Sequence, residues 1–307
     1  MDKRQQRRQA AYLSTQGGIF DRPDARPEDA QSKEVDHYAV KVTEAGEMLD
    51  AEFYPVWATP QARRAAKHNV TPEAQRRANA RRTRQYISQL VHANFSAGDL
   101  AITLTFDPER ACGSPTAKEA RSMLGVYFKA VRRYRKRHGL PPLKYIYVIE
   151  GGDFSPRERK RVHVHIIMSR MDRDEAEMLW GYGRVNTRRL QPRPGEGVTG
   201  LSAYMTKTLP DANPLRQKRW GRSKNLTEPT VSFPAHKLSR RRAARMLAGA
   251  EEARERIEAS FPGYRLAELE FYRSDFVGGI YVRARLFLWH TPAEEREKDK
   301  RLTDWYE

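Results

Sequence analysis

The chain of 307 residues contains a single cysteine, Cys112. One thiol cannot form a disulfide within the chain. Proteins without disulfides are typical of reducing compartments. We therefore expect a cytoplasmic protein.

Long apolar runs are missing as well. No stretch approaches the ~18 consecutive apolar residues that a membrane-spanning helix needs. The amino terminus, MDKRQQRRQAAYLS, carries positive charge but no apolar segment behind it, unlike a secretory signal. We expect no membrane association and no secretion.

Acidic residues are scarce relative to basic ones: 39 Asp and Glu face 57 Lys and Arg, a formal net charge of +18. Such a surface favours a polyanion partner, because each contact between Lys or Arg and a phosphate releases condensed counterions. Nucleic acid is the preferred partner, and an anionic membrane or the ribosome is the alternative. The Arg-rich segments lie at 63–64, 76–84, 132–137, 157–161, 216–224 and 237–245.

The pattern G-x-x-x-x-G-K-[ST] occurs nowhere in the sequence. That loop is what cradles nucleotide phosphates in many ATP-driven motors. We therefore expect no nucleotide cofactor and no helicase activity in this chain.

Hydrophobic periodicity divides the chain into four segments. Residues 1–50 are polar and charged without sustained periodicity, which predicts a largely disordered tail. Residues 51–97 predict a basic helical segment, with Thr71 capping a helix over 71–94. Residues 98–230 hold the most regular pattern, and 231–307 predict a basic helix and a β-hairpin packed on that domain.

Within 98–230 the elements follow in the order β-α-β-β-α-β. Strands are expected at 100–106, 143–150, 161–169 and 183–190, and the helices begin after Thr116 and Asp172. This order predicts an α+β, ferredoxin-like or RRM-like antiparallel sheet with helices on one face and an open second face.

The third strand contains the sequence KRVHVHIIMS, residues 160–169. Because strand side chains alternate between faces, Val162, Val164 and Ile166 face the helices, while His163 and His165 lie on the open face with Thr103 and Thr105. Glu150 ends the neighbouring strand. Two neutral imidazoles and a carboxylate can hold a divalent metal ion. The alternatives are surface or core histidines and a glutamate paired with nearby arginines.

Downstream of the strands, LSAYMTKTL (201–209) predicts a helix that places Tyr204 at the edge of its apolar stripe, with Lys207 one turn away. A phenol beside an ammonium group can be presented to a phosphate, or it can be an interfacial tyrosine with its hydroxyl in water. Trp220, between Arg219 and Arg222, fits either a stacking platform for bases or a core position.

These motifs together resemble a known family. The strand TLTF (103–106), the HVH preceded by Glu150, and the Y-x-x-K of Tyr204 and Lys207 resemble, in order and spacing, the three motifs of HUH endonucleases. The rolling-circle replication initiators (Rep proteins) of phages and plasmids are the most similar group. QKRWGRSKNL (217–226) resembles the basic segment that follows their tyrosine. The resemblance covers roughly 100–230.

The resemblance implies a chemistry. Mg²⁺ or Mn²⁺, held by His163, His165 and Glu150, polarises the scissile phosphate, and Tyr204 attacks it to leave a 5′-phosphotyrosine. Lys207 binds the phosphate or steadies the phenolate, since a phenol with a pKa of about 10 is a poor nucleophile at pH 7. The implied partners are single-stranded origin DNA, a host helicase and a DNA polymerase. The residues predicted to contact DNA are Thr103, Thr105, Arg161, Arg219, Trp220 and Arg222.

Three features depart from the family pattern. A long basic loop, GGDFSPRERKR, separates Glu150 from the histidines, no second tyrosine lies one turn from Tyr204, and no helicase motif is present. Two other functions remain open: an HUH relaxase or transposase, although transposases of this type usually carry glutamine where this chain has Lys207, and a non-catalytic nucleic-acid binder on an RRM-like scaffold.

Overall fold

The computed structural model describes residues 19–20, 34–65, 71–111, 113–151, 161–206, 219–235, 237–248, 250–274 and 279–290. They divide into two compact units. The first unit lies within Met1–Gln89, Pro194–Gly197 and Glu228–Glu295, and the second within Leu90–Arg193 and Val198–Thr227. In this part of the chain no helix is both long enough and apolar enough to cross a bilayer.

The elements are numbered in chain order. The strands are β1 Ile19–Phe20, β2 Val35–Ala45, β3 Met48–Trp57, β4 Leu100–Thr105, β5 Tyr145–Glu150, β6 His163–Met168, β7 Val185–Arg189, β8 Trp220–Arg222, β9 Thr230–Ser232, β10 Lys237–Ser239, β11 Tyr264–Ser274 and β12 Ile280–Leu288. The helices are α1 Pro60–Ala65, α2 Pro72–Asn94, α3 Ala117–Arg137, α4 Arg173–Met178, α5 Thr199–Thr206, α6 Arg240–Ala248 and α7 Ala250–Ser260.

The sheet of the second unit has the strand order β7-β4-β6-β5-β8, and every pair in it is antiparallel. In chain order, α3 links β4 to β5 and α4 links β6 to β7, which is the split βαβ arrangement. The predicted α+β, ferredoxin-like fold is therefore confirmed. The short strand β8 is an addition, paired along the outer edge of β5.

Helix α3 forms where its sequence specifies both ends. The Thr116 hydroxyl accepts from the Glu119 backbone N–H at 3.3 Å, and the Thr116 backbone N–H donates to the Glu119 carboxylate at 2.8 Å, a reciprocal capping box. Gly139, just past the helix end, has φ of +65°, a conformation that glycine adopts without strain. The apolar side of α3 shares one buried core with Leu100, Ile102 and Leu104 of β4 and with Val164 and Ile166 of β6.

The second face of this sheet is open over only part of its area. Ile146, Val148 and Ile167 lie on it and are completely buried, whereas Thr105 is exposed and His163 is partly exposed. The prediction of an open face is therefore wrong for the end that carries aliphatic side chains, because apolar groups gain stability when they leave water. Only the end with polar residues stays accessible.

The first unit has a sheet in the order β1-β11-β12-β3-β2-β10, with β9 also paired to β2. Two predictions are corrected here. Residues 35–50, predicted as part of a disordered tail, and 51–57, predicted as part of a helical segment, form the hairpin of β2 and β3. The predicted C-terminal hairpin exists as β11 and β12, and it is part of this sheet through the pairing of β12 with β3.

Buried charged residues explain why the hairpin of β2 and β3 was not predicted from the sequence. Helices α6 and α7 share an apolar cluster with one face of the sheet, while the other face carries Asp50, which is 3% exposed. Arg285 grips that carboxylate with two hydrogen bonds of 2.9 and 3.3 Å, and Gln89 donates a third at 3.0 Å. Charged residues in strands that are buried on both faces mask the alternation by which a strand is recognised.

Candidate metal centre

Glu150, His163 and His165 come from two paired strands. Glu150 is the last residue of β5 and lies directly opposite His163 at the start of β6, while His165 pairs with Val148. All three side chains project to the same face, because the register keeps residues of equal parity on one side. The structure therefore brings the three predicted ligands together, despite the long basic loop, whose residues 152–160 lie outside the described part of the chain.

The three side chains converge on one point. Nε2 of His163 lies 2.8 Å from Oε2 of Glu150, and Nε2 of His165 lies 3.1 Å from the same oxygen. The three potential ligand atoms all lie within 4.8 Å of one another. The rings of His163 and His165 meet edge to face with centroids 4.9 Å apart, so their nitrogens approach from different directions.

The other nitrogen of each imidazole is also held. Nδ1 of His163 lies 3.2 Å from the Arg161 carbonyl oxygen, which can only accept, so Nδ1 carries the proton. Nδ1 of His165 lies 3.2 Å from the Thr103 hydroxyl, its cross-strand partner. A metal-bound histidine typically donates its second N–H in this way, which orients the ring. Nε2 would become the metal ligand once it gives up the proton that it shares with Glu150. The residues therefore fit a divalent cation.

Burial and charge set the state of Glu150. Its own burial would raise the pKa of the carboxyl, but the charge on His163 and hydrogen bonds from both imidazoles outweigh that effect, so the pKa lies below its ordinary value. The carboxylate is consequently ionised at neutral pH. The side chains of His163 and Glu150 are 25% and 17% exposed, which leaves one side of the cluster open to a ligand.

Arg219 holds the strand end that carries Glu150. It is 5% exposed, and its guanidinium donates to the Gly151 carbonyl at 3.0 Å. Gly151 has φ of +80°, so the chain turns sharply immediately after the ligand. These contacts support a role in positioning Glu150, and the predicted contact between Arg219 and DNA stays a prediction.

The neighbouring end of β4 is fixed by a close backbone approach that sequence reasoning missed. The Thr105 hydroxyl donates to the Arg184 carbonyl at 3.0 Å, and the Arg184 N–H donates back to that hydroxyl at 3.2 Å. A Cβ at Gly183 would overlap the Thr105 carbonyl oxygen and lie 2.8 Å from the Asp107 nitrogen. The only signal in the sequence is a glycine just before a strand, which often marks such an approach.

Of the other predicted DNA contacts, Trp220 and Arg161 lie nearer to this end of the sheet than Arg222 does. Trp220 is opposite Val148 in the β5–β8 pair, so it shares a face with Glu150 and is diagonal to it. Arg222 is opposite Ile146, further from the cluster, and Arg161 is exposed immediately before β6. Their roles in DNA binding stay predictions, as do those of Thr103 and Thr105.

The predicted nucleophile is only partly described. A helix is present at Thr199–Thr206, which overlaps the predicted 201–209, and Ser202 and Thr206 on it are buried. Tyr204 belongs to this helix, but its side chain lies outside the described residues, as does the whole of Lys207. The expectation that the phenol meets the histidines therefore stays a prediction.

Comparison with known proteins supplies one match. Residues 99–209 match the model of a family described as replication-associated proteins. This segment is shorter than half of the chain, and it runs from the start of β4 past Tyr204 and Lys207. The match indicates a role associated with replication. No curated protein and no solved structure matches the chain.

Proposed function

We propose that this protein starts DNA replication by cutting one strand of an origin and staying joined to its 5′ end through Tyr204. The convergence of Glu150, His163 and His165, with both Nδ1 atoms already hydrogen-bonded, is the observation that carries the proposal. The match of residues 99–209 to a replication-associated family supports it.

Glu150, His163 and His165 would hold the metal ion. When bound, a divalent ion supplies Lewis-acid polarisation of the scissile phosphate. Two imidazole nitrogens suit Mn²⁺ better than Mg²⁺, which prefers oxygen ligands and keeps its water. We therefore expect both ions to support cutting and Mn²⁺ to do so at lower concentration.

Tyr204 performs the covalent step. Its phenolic oxygen forms a bond to phosphorus as the bond from phosphorus to the 3′ oxygen breaks; the phenol loses its proton and the departing 3′ oxygen gains one. The products are a tyrosine–5′-phosphate ester and a 3′-hydroxyl that a polymerase can extend. Lys207 would stabilise the phenolate by its positive charge. The ester keeps the phosphodiester linkage activated, so the same strand can be rejoined.

The remaining predicted residues orient the DNA. Trp220 offers an aromatic ring on the face that carries Glu150, where an unpaired base can stack. Arg161, Arg222 and the hydroxyl of Thr105 would contact phosphates, and Thr103 would fix the ring of His165. Because the sequence lacks a nucleotide-binding loop, a host helicase must open the duplex and a host polymerase must extend the 3′ end.

The test is formation of a covalent adduct. The full chain is incubated with 5′- or 3′-labelled single-stranded origin DNA and Mn²⁺, then run on a denaturing gel. We expect a shifted band that carries the label 3′ of the nick and disappears with chelator. Tyr204→Phe should remove it, while Tyr134→Phe, a tyrosine on α3 that stacks on His138, should leave it unchanged.

Two results would contradict the proposal. An adduct that persists in Tyr204→Phe would show that another residue is the nucleophile. Salt-sensitive DNA binding without an adduct in any divalent metal would favour the non-catalytic alternative.

His163→Ala and His165→Ala should abolish the adduct while DNA binding is largely kept.

A further inference from the structure

A second polar feature of the second unit lies outside the metal centre. It is an open cleft of about 670 Å³ between the end of α3, the turn that follows it, and the outer sheet edge of β5 and β8. We call it the basic cleft. Of the twelve residues that line it, five are Arg or Lys and none is Asp or Glu: Arg132, Arg135, Lys136, Arg222 and Lys224.

The walls of the basic cleft are firmly built. Arg135 is 3% exposed and donates to the carbonyl oxygens of Pro141 and Arg170 at 2.8 Å each, which places a buried positive charge behind the surface cations. Tyr145 stacks on Phe128 with ring centroids 3.8 Å apart, and its backbone N–H donates to the Ser223 hydroxyl at 3.1 Å. The walls of the cleft are therefore held in place by contacts within the protein before any ligand binds.

Its chemistry suits a strand of phosphates. Lys136 and Lys224 are exposed, and the prolines and leucines of the turn form an apolar wall between the cations. A positively charged groove with apolar surface is how proteins track the backbone of a nucleic acid without reading its bases. The guanidinium of Arg132 lies 5.7 Å from the Tyr145 ring centre, so one face of that ring is already occupied and phosphate contact is favoured over base stacking.

The cleft and the metal centre are joined by one short strand. Tyr145 and Glu150 are the two ends of β5, roughly 16 Å apart at the usual rise per residue. Tyr145 packs with the core under α3, whereas Glu150 is on the opposite face. Strand β8 connects the two places: Trp220 and Arg222 both lie on the face of Glu150, and Arg222, at the end of the strand, also lines the cleft together with Lys224.

We propose that the basic cleft binds the phosphodiester backbone of a DNA strand, at a site separate from the metal centre. The strand would pass Trp220, cross the sheet edge at β8 and lie against Lys224, Lys136 and Arg132. The choice of DNA over another polyanion rests on the proposed function. The cleft extends the contact between protein and DNA beyond the nucleotides next to the cut, without sequence preference.

The experiment measures binding of a fluorescent oligo(dT) to the full chain by anisotropy, with chelator present so that cutting plays no part. We expect Lys136→Glu/Lys224→Glu to weaken binding at least tenfold at 0.1 M salt. The slope of log K against log salt should become shallower by about 1.4, because each lost phosphate contact on a single strand contributes about 0.7.

Lys118→Glu/Arg173→Glu is the matched control. It makes the same change in net charge on exposed residues of α3 and α4 that do not line the cleft, and it should change binding less than about threefold. Glutamate is tolerated in the first turn of a helix, where both residues lie. If circular dichroism shows that the double reversal does not fold, Lys136→Gln/Lys224→Gln replaces it with the same expected direction.

Three outcomes would overturn the cleft assignment. The first is that the cleft variant binds oligo(dT) as wild type does, and the second is that the cleft and control variants lose equal affinity. The third is that the cleft variant binds oligo(dT) normally but loses binding to poly-glutamate, which would assign the cleft to an acidic peptide. The wild-type adduct assay separates the two proposals. If wild type forms the adduct but the cleft variant binds DNA normally, the proposed cutting activity stands and the proposed role of the cleft is wrong. If the cleft variant loses DNA binding but wild type forms no adduct, the cleft binds DNA and the proposed cutting activity is wrong.

Discussion

Each unit places a carboxylate on one face of an antiparallel sheet, and the two carboxylates differ in what surrounds them. Asp50 in the first unit is 3% exposed and accepts two hydrogen bonds from Arg285 and one from Gln89. Glu150 in the second unit is 17% exposed and meets two imidazoles through a single oxygen. The first is neutralised by a permanent cation, and the second is not.

This difference distinguishes a carboxylate that stabilises the fold from a carboxylate that can take part in chemistry. A guanidinium cannot give up its charge and grips both carboxylate oxygens, so the Asp50–Arg285 pair holds the sheet and offers nothing to a ligand. An imidazole can be neutral and present a lone pair, so the Glu150 cluster can exchange its internal contacts for a metal ion. The following predictions test whether the two carboxylates behave in these two ways.

The largest expected effect is on stability at Asp50. Asp50→Ala leaves the buried Arg285 without its partner and should lower the free energy of unfolding by about 3–5 kcal/mol. Glu150→Ala, measured without metal, should cost less than about 1 kcal/mol, because it leaves imidazoles that can be neutral. Urea unfolding at pH 7 followed by circular dichroism measures both. Comparable losses in the two variants would mean that Glu150 is structural too.

The frame of the metal centre is the next target. Gly183→Ala forces a Cβ into the Thr105 carbonyl and should destabilise the chain by about 1–3 kcal/mol and reduce adduct formation, since the ends of β4 and β7 must move apart. Gly125→Ala is the control: it lies on α3 with nothing within 4 Å of its added Cβ, and should stabilise by about 0.5–1 kcal/mol. Thermal melts report both signs, and a neutral Gly183→Ala would refute the close approach.

We expect Thr103 to strengthen metal binding at the metal centre and not to stabilise the fold. Thr103→Val removes the hydrogen-bond partner of His165 Nδ1 and should weaken Mn²⁺ binding about 10- to 100-fold, the usual effect of losing such a partner. The readout is the Mn²⁺ concentration that half-maximally raises the melting temperature. Thr105→Val, whose hydroxyl bonds to the Arg184 carbonyl instead, should leave that concentration within about threefold of wild type. Equal shifts would remove the distinction between the two threonines.

The smallest effect near neutral pH is the pH dependence of the Asp50 contribution. Burial alone would raise the pKa of Asp50, but the charges of Arg285 and Arg283 and the hydrogen bonds from Arg285 and Gln89 hold it below its usual range. Its stabilisation is therefore fully present above the unfolded pKa of about 4 and is lost as pH falls through the lower folded pKa. The stability difference between wild type and Asp50→Asn should be constant from pH 7 to 5 and shrink below pH 4. A difference that shrinks between pH 7 and 5 would show that the Asp50 pKa is not lowered.

The sequence predicted the second unit well because its signals are local. The capping box of Thr116 and Glu119, the alternation around His163 and His165, and the turn at Gly139 each need only neighbours along the chain. The same logic located the two hairpin strands near the C terminus. These signals also correctly placed Glu150 on the strand next to the histidines.

The same reasoning did not predict strands β2 and β3 of the first unit, because the residues that stabilise them lie far apart in the chain. Asp50 is stabilised by Arg285, 235 residues away along the chain, so nothing near Asp50 marks the strand as buried. In the second unit, basic neighbours along the chain predict that Arg219 contacts DNA, and that contact stays a prediction. Its burial against backbone carbonyls, which supports a role in positioning Glu150, is visible only in three dimensions. The basic cleft likewise combines residues of the 132–137 and 216–224 segments, which lie far apart in the sequence.

By itself the sequence determined a basic chain with a β-α-β-β-α-β region and two imidazoles on one side of a strand, because charge and alternation are properties of composition and local spacing. Only the tertiary structure decided that the Glu150 carboxylate stays partly accessible beside those imidazoles, whereas the Asp50 carboxylate is locked by an arginine. Strand register and long-range pairing set that choice, and they depend on contacts between residues that are far apart in the chain.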